Sequence, residues 1–462
     1  MNSIYCPKCD LEIIDIGAKC SNCGHQDKIN ETVGNSAVIS MIIFIAIIIC
    51  LAIVSCSENN QQNVTKLIPA PVIEESNKQK EAKETKKNIF PPTLDKNTQE
   101  ATTKKISNQV LISDYKTYKN IDEKIKLEKI NVAQTLDQPW GMDFVDSDTL
   151  IITEKKGNLI LFDLNKKISK DIKHDIPVVQ SGQGGLLDVV FFEQFLYLSF
   201  TKLDENLKLT TAIGRGKFIR PFNTLDDFQI IFEAKPYYSD RIHFGSRIVI
   251  KDNYLYATIG ERGQGIAAQK VDSHAGSIIR INLDGSIPDN PYADIKGALP
   301  ELYMIGLRNP QGMTISNEQI LVTNHGAKGG DFLGALSSGG NYGWNEIGWG
   351  GTNYSGTKIG KGEPFRDDFN LPIISWVPSI APSNLKVYQG NEFPEWAGDI
   401  LVCSLKFEML ILVTVEDEKP IEFKSLVKNK IGRIRDIEID KEGKIYLITD
   451  EKNSYLWKIT AD

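Results

Sequence analysis

The chain has 462 residues, a formal net charge of −7 at pH 7 and 41% hydrophobic residues. That length allows one large domain with additions, and an acidic balance without a clustered basic stretch excludes the electrostatic footprint of a nucleic-acid-binding protein. Of seven cysteines, Cys6, Cys9, Cys20, Cys23, Cys50 and Cys56 fall near the N-terminus and only Cys403 beyond, so the bulk of the chain needs no disulfide framework.

Residues 1–31 carry Cys6-x-x-Cys9 and Cys20-x-x-Cys23, with turn-forming residues after each pair. Four thiolates so spaced close a tetrahedral Zn2+ site, and a module this small has no core to hold it without metal. The pattern resembles bacterial zinc ribbons. His25 is a bystander, since four sulfurs complete the shell.

Thr32 to Ser57 contains no charged residue, and residues 37–54 are almost wholly aliphatic. Such a run predicts a transmembrane helix of roughly 27 Å, enough to cross a bilayer core. A thiolate zinc site favours a reducing cytosol. We therefore expect a single pass through the cytoplasmic (inner) membrane, with the ribbon cytoplasmic and the remainder periplasmic or extracellular. The alternative is a lipoprotein, because Ile53-Val54-Ser55-Cys56 resembles a lipobox with Cys56 as the lipidated residue. Residues 58–125 are rich in Asn, Gln, Lys, Glu, Thr and Ser, and predict a disordered linker.

Residues 126–462 change character to short strands separated by Gly, Asp and Asn turns. One theme recurs, an alternating strand, a turn and a second strand rich in Leu, Ile and Tyr. It is found at GMDFVDSDTLIITEKKGNLILFDL, LLDVVFFEQFLYLSF, RIVIKDNYLYATIG with SIIRINLDG, GMTISNEQILVTNHG, LKVYQGNEFPEWAGDILVCSL with ILVTV, and IRDIEIDKEGKIYLITDEKNSYLWKI. Six such units predict an all-β, six-bladed β-propeller, with a sandwich or barrel as the competing arrangement.

The unit from Arg241 to Gly285 concentrates polar groups at strand ends. His243 precedes one strand, and Glu261 with Arg262 follows the next. A rigid scaffold presents chemistry in this way, and loop residues facing water would look the same.

Residues 136 to about 457 resemble the soluble glucose/sorbosone dehydrogenase family, the quinoprotein aldose sugar dehydrogenases. The landmarks are PWGMDF, GQGGLLDVVF, HFGSRI, YATIGERG, GLRNPQGM, HGAKGGDFLGALSSGGNYGW, SIAPSNLKVY, SLKFEMLILV and GRIRDIEID, all in order. The resemblance implies a six-bladed propeller using pyrroloquinoline quinone (PQQ) with Ca2+ to oxidise the C1 hydroxyl of aldose sugars. It also implies a separate electron acceptor, because the chain has no haem-attachment Cys-x-x-Cys-His. The competing reading is a non-catalytic propeller binding module that has lost its cofactor.

Abstracting a hydroxyl proton while hydride leaves carbon calls for a base with pKa near the working pH beside an electron acceptor. The resemblance assigns that base to His243, and its orienting carboxylate to Glu261, where the family usually has Asp. It places Arg308 on the quinone carbonyl and Asn309, Lys406, Arg433 and Arg435 on the cofactor. Arg433 and Arg435 are two apart, which puts both on one face of a strand. Gln183 is implied at the substrate pocket and Trp376, one residue out of register, as an aromatic stacking on cofactor. The backbone carbonyls of Gly326 and Ala327 are implied as calcium ligands. Phe332 and Gly334 depart from the commoner family pattern by removing polar groups from the calcium-side loop.

Overall fold

The computed structural model describes residues 110–130 and 135–462, with the backbone of residues 4–5 and 12–13. Two units divide the chain, Met1–Pro92 and Thr93–Asp462. In the first, Ile4–Tyr5 pairs antiparallel with Glu12–Ile13. The expected zinc thiolates, the membrane helix over 37–54, the lipobox and most of the linker lie outside the described residues.

The second unit is all-β, and its sheets form six blades. Blade 1 comprises Pro139–Asp146, Thr149–Glu154, Leu159–Asp163 and Ile168–Asp171. Blade 2 comprises Leu186–Phe192, Phe195–Leu203, Leu209–Ile219 and Thr224–Glu233, and blade 3 Gly245–Lys251, Tyr254–Ile259, Ser277–Asn282 and Leu302–Met304. Blade 4 follows with Asn309–Ser316, Gln319–His325, Asp331–Ala335 and Ile374–Trp376, and blade 5 with Pro382–Val387, Ile400–Ser404, Met409–Glu416 and Lys419–Leu426. Blade 6 takes Ile434–Ile439, Ile445–Thr449 and Trp457–Ala461. Each recurring sequence theme is the start of one blade. Apolar side chains pack between neighbouring sheets, as where Leu401 and Leu412 of blade 5 meet Ile437 and Leu447 of blade 6.

The end of the expected linker requires correction. Leu111–Ser113 lies parallel to Ile374–Trp376 of blade 4, and Lys119–Asn120 parallel to Lys424–Ser425 of blade 5. Ile125–Lys129 then pairs antiparallel with Trp457–Ala461 and supplies the fourth strand of blade 6. A few apolar residues in a polar stretch fix this path. Tyr115 stacks on Phe407 at 3.6 Å, Tyr118 on Phe423 at 5.1 Å, and Ile121 is buried. Average composition hides such isolated anchors.

The innermost strands share a device. In every blade the pairing of first and second strands shifts register near its start, at 139–142, 186–189, 245–248, 310–312, 382–385 and 434–436. Bulges re-aim side chains, and here they gather Trp140, Asp188, Arg247, Gln311, Asn384 and Arg435. Arg247 Nη1 meets Asp188 Oδ1 at 2.6 Å and Asp436 Oδ1 at 3.2 Å, while its Nε donates to the Gln311 carbonyl at 3.1 Å. Asn384 Nδ2 donates to Asp436 Oδ1 at 2.6 Å, and Met142 N to Asp436 Oδ2 at 2.7 Å. This buried belt touches all six blades.

Candidate active site

His243 ends the crossing from blade 2 to blade 3, and Glu261 begins the loop after the second strand of blade 3. Gly260 makes their meeting possible, because a Cβ there would lie 2.0 Å from the His243 carbonyl oxygen. His243 itself adopts φ +52°, a left-handed conformation uncommon outside glycine. Its Nδ1 lies 2.5 Å from Glu261 Oε1. Both side chains are largely buried, 11% and 3% exposed respectively, so the pairing is shielded from water.

Burial pushes the Glu261 carboxyl up, but the His243 hydrogen bond, the imidazole charge and the Arg308 charge outweigh it and hold the group below its ordinary value. An ionised Glu261 accepts from Nδ1–H, which makes Nε2 the proton-accepting atom of the ring. The extra methylene relative to Asp leaves this contact intact. Gln183 Oε1 accepts from His243 N at 2.8 Å, which places Gln183 beside the base and gives it a backbone-holding role.

Arg308 enters from blade 4, and its carbonyl accepts from Glu261 N at 2.8 Å. Its guanidinium carbon sits 5.4 Å from the Trp344 ring centre and 5.9 Å from that of Tyr354. Among the described residues it joins no ion pair. Lys406 joins none either and is exposed. A cation held by aromatic faces keeps its hydrogen-bond donors for another partner. Asn309 Oδ1 accepts from Gly245 N and Gln311 Nε2, both at 3.2 Å, which leaves its amide nitrogen as the group with hydrogens to donate.

Arg433 and Arg435 do share a face, since Arg435 Nη2 is 2.6 Å and Arg433 Nη2 is 3.8 Å from Asp450 Oδ2. Arg435 is also bound through Nη1 to Gln311 Oε1 at 2.9 Å. Although burial pushes Asp450 up, Arg435, Lys155 and Arg433 hold it far below the usual carboxylate range. The sequence reading missed Asp450, Lys155 and Gln311. Only the landmark spacing of NPQGM pointed to Gln311, while Asp450 and Lys155 look like ordinary strand-end charges.

Trp376 does not belong to the site. It is fully buried in the core between blades 4 and 5, and its Nε1 donates to Tyr118 Oη at 2.9 Å. Trp344 and the half-exposed Tyr354 lie near Arg308, Phe407 near Lys406 and Trp140 near Arg435. Phe332 and Gly334 likewise face the interior. Phe332 packs 4.6 Å from Tyr342 and 4.7 Å from Trp349, and a Cβ on Gly334 would meet Tyr342 Oη at 2.1 Å. Both residues thus pack within blade 4 against Tyr342 and Trp349.

The loop of Gly326 and Ala327 is held from one side. Asp331 accepts from Gly326 N at 2.8 Å, Ser379 Oγ at 2.9 Å and Ala381 N at 2.7 Å. Ser379 Oγ also lies 3.1 Å from the Ala327 carbonyl. Among the described residues no three His, Cys, Asp or Glu side chains gather as a metal site.

The other described histidines are structural. His325 is driven down to about 3, by burial first and then by the charges of Arg308, Arg435 and His243, and its Nε2 donates to the Pro382 carbonyl at 2.8 Å. His274 accepts from Lys235 N through Nδ1 and faces Glu301 through Nε2. His174 Nε2 bonds the Gly157 carbonyl.

A six-bladed propeller that brings together a carboxylate-paired histidine and cations with no ion pair among the described residues defines a class of small-molecule enzyme scaffold. The chain belongs to the Glucose / Sorbosone dehydrogenase family, which matches residues 136–458. It is 34% identical over 337 residues to the aldose sugar dehydrogenase YliI of Escherichia coli, covering 70% of this chain and 90% of that protein. It is 26% identical over 420 residues to the quinoprotein glucose dehydrogenase B of Acinetobacter calcoaceticus, covering 72% and 86%. The solved apo-form of the soluble aldose sugar dehydrogenase (Asd) from Escherichia coli superposes with a TM-score of 0.69 at 31% identity, covering 73% of this chain and all of that one.

Proposed function

We propose that the protein is a membrane-anchored quinoprotein that oxidises the C1 hydroxyl of aldose sugars to lactones. The observation that carries this reading is the buried His243–Glu261 pair set beside Arg308, a cation with no carboxylate partner among the described residues. Names of the relatives, an aldose sugar dehydrogenase and a quinoprotein glucose dehydrogenase, support the substrate class and the cofactor.

Arg308, Lys406, Arg433 and Asn309 fit a cofactor with several carboxylates, because they offer more cationic and N–H groups than the local acids neutralise. Arg435 serves mainly through Gln311 and Asp450, holding the cationic face in place. Bound PQQ would supply the electron-accepting carbonyl for the hydride. His243 Nε2 takes the C1 hydroxyl proton, and Glu261 stabilises the resulting imidazolium through Nδ1. Gly326 and Ala327 carbonyls would hold Ca2+ beside that cofactor. The zinc ribbon on Cys6, Cys9, Cys20 and Cys23 stands in the cytoplasm in this reading. The helix over 37–54 crosses the membrane, and the propeller works outside with a separate electron acceptor.

The test is to load the purified chain with PQQ and Ca2+ and follow dye reduction with a panel of aldoses. Turnover that disappears on chelation and returns with Ca2+ is expected. An unchanged quinone absorbance together with no turnover on any aldose leaves a binding module as the reading.

A further inference from the structure

Residues 239–244 carry His243 yet belong to no strand, and their backbone must hold an uncommon conformation at the base itself. Arg262, the neighbour of Glu261, grips this segment. Its Nε donates to the Ile242 carbonyl at 2.9 Å, its Nη2 to the Asp240 carbonyl, and its Nη1 to the Leu209 carbonyl at 3.0 Å. The guanidinium lies 3.7 Å from the centre of the Phe244 ring. Thus residues 240, 242 and 244, on both sides of His243, all rest on one side chain that is 2% exposed.

We propose that Arg262 is a positioning residue for His243, fixing the backbone that presents the imidazole while Glu261 fixes the ring. This rests on the reading of His243 as the base. A left-handed non-glycine residue persists only where its surroundings over-determine it. Gln183 supplies two of those restraints, through Oε1 to His243 N and through its own N–H to the Arg241 carbonyl at 2.9 Å. Arg262 supplies three more, at the Asp240 and Ile242 carbonyls and the Phe244 ring. Arg262 and Glu261 are consecutive, so one turn, closed by Gln264 N donating to the Glu261 carbonyl at 2.9 Å, places both holds together. A planar guanidinium fork suits several carbonyls at once, and lysine cannot reproduce it. Other charged groups near the pair are Asp240 on the same segment, Arg308 from blade 4 and His325 behind it.

The experiment compares full-length wild type, Arg262→Lys and Arg262→Met in detergent, with ring-labelled histidine observed by NMR and His243 assigned from His243→Gln. In the cofactor-free protein, both arginine variants should shift and broaden the His243 signals, including the downfield Nδ1–H proton. His174, His274 and His325 should stay in place as internal references. In loaded enzyme, kcat should fall about 10²-fold, the scale expected for a base displaced by about 1 Å, with quinone loading and KM nearly unchanged. Arg262→Met should also move the acid limb of the rate profile to higher pH, because losing a nearby cation favours imidazolium. His243 signals identical to wild type in Arg262→Lys overturn the proposal, as does unfolding of both variants, which makes Arg262 a fold residue. If wild type lacks aldose turnover, the enzymatic reading fails, while the ring signals still judge the positioning role.

Discussion

The belt on the innermost strands and the cluster around His243 and Arg308 use the same residue types to opposite ends. In the belt, the Arg247 charge is met by Asp188 and Asp436 from two other blades. In the cluster, Arg308 and Lys406 have aromatic neighbours and no carboxylate partner among the described residues. A buried cation with its counter-charges supplied from the same chain ties elements together, whereas one left without them is set for an outside anion. Arg435 stands between the two, bound to Gln311 and Asp450 below a site it helps to shape.

This contrast can be broken by exchanging outcomes. His243→Ala should lower aldose turnover by about 10²- to 10⁴-fold, the usual worth of a positioned base, while thermal unfolding and quinone loading stay as in wild type. Arg247→Met should do the reverse. Leaving Asp188 and Asp436 uncompensated should cost about 3–5 kcal/mol of stability in denaturant unfolding, with folded protein still turning over. If Arg247→Met proves stable and inactive, the belt is part of the chemistry and the contrast fails.

Glu261 sharpens the comparison through pH. Its folded pKa lies below the unfolded carboxylate value of about 4.3. The unfolded chain therefore binds the proton more readily, and the contribution of Glu261 to stability is present above that pH and lost as pH falls through the folded value. Glu261→Gln should flatten this part of an acid-unfolding curve and leave the neutral-pH fold intact. The smallest effect belongs to Trp376→Phe, which removes the hydrogen bond to Tyr118 Oη and should cost about 1 kcal/mol. Quinone affinity, read from absorbance titration, should not move, and a loss would return Trp376 to the site.

Much of this was legible in the sequence. Period-two patterning between turn residues is a local signal, and each of its six occurrences marks a blade. Resemblance motifs brought forward His243, Glu261, Arg308 and the Arg433–Arg435 pair, which the fold brings near one another. Other features depend on contacts far apart in sequence. Nothing local shows that Asp450 answers Arg435, that Arg247 spans the axis to Asp436, or that Tyr118 caps Trp376. Strand periodicity also fails at the bulges, and it is there that Gln311 and Arg435 acquire their directions. Trp376 misled because an aromatic residue near a motif reads the same whether it stacks on a ligand or on its own core.

The strand Ile125–Lys129 lies before residue 136, where the family match begins, yet it forms the outer edge of blade 6. A fragment cut to the match alone, residues 136–458, would lose this strand and most of Trp457–Ala461, leaving Ile445–Thr449 with a row of unpaired N–H and C=O groups along an open sheet edge. Such an edge templates the next chain. Self-association, and not a missing site, is then the expected fate of that fragment, and including residues 110–130 together with 459–462 is what should keep the propeller monodisperse.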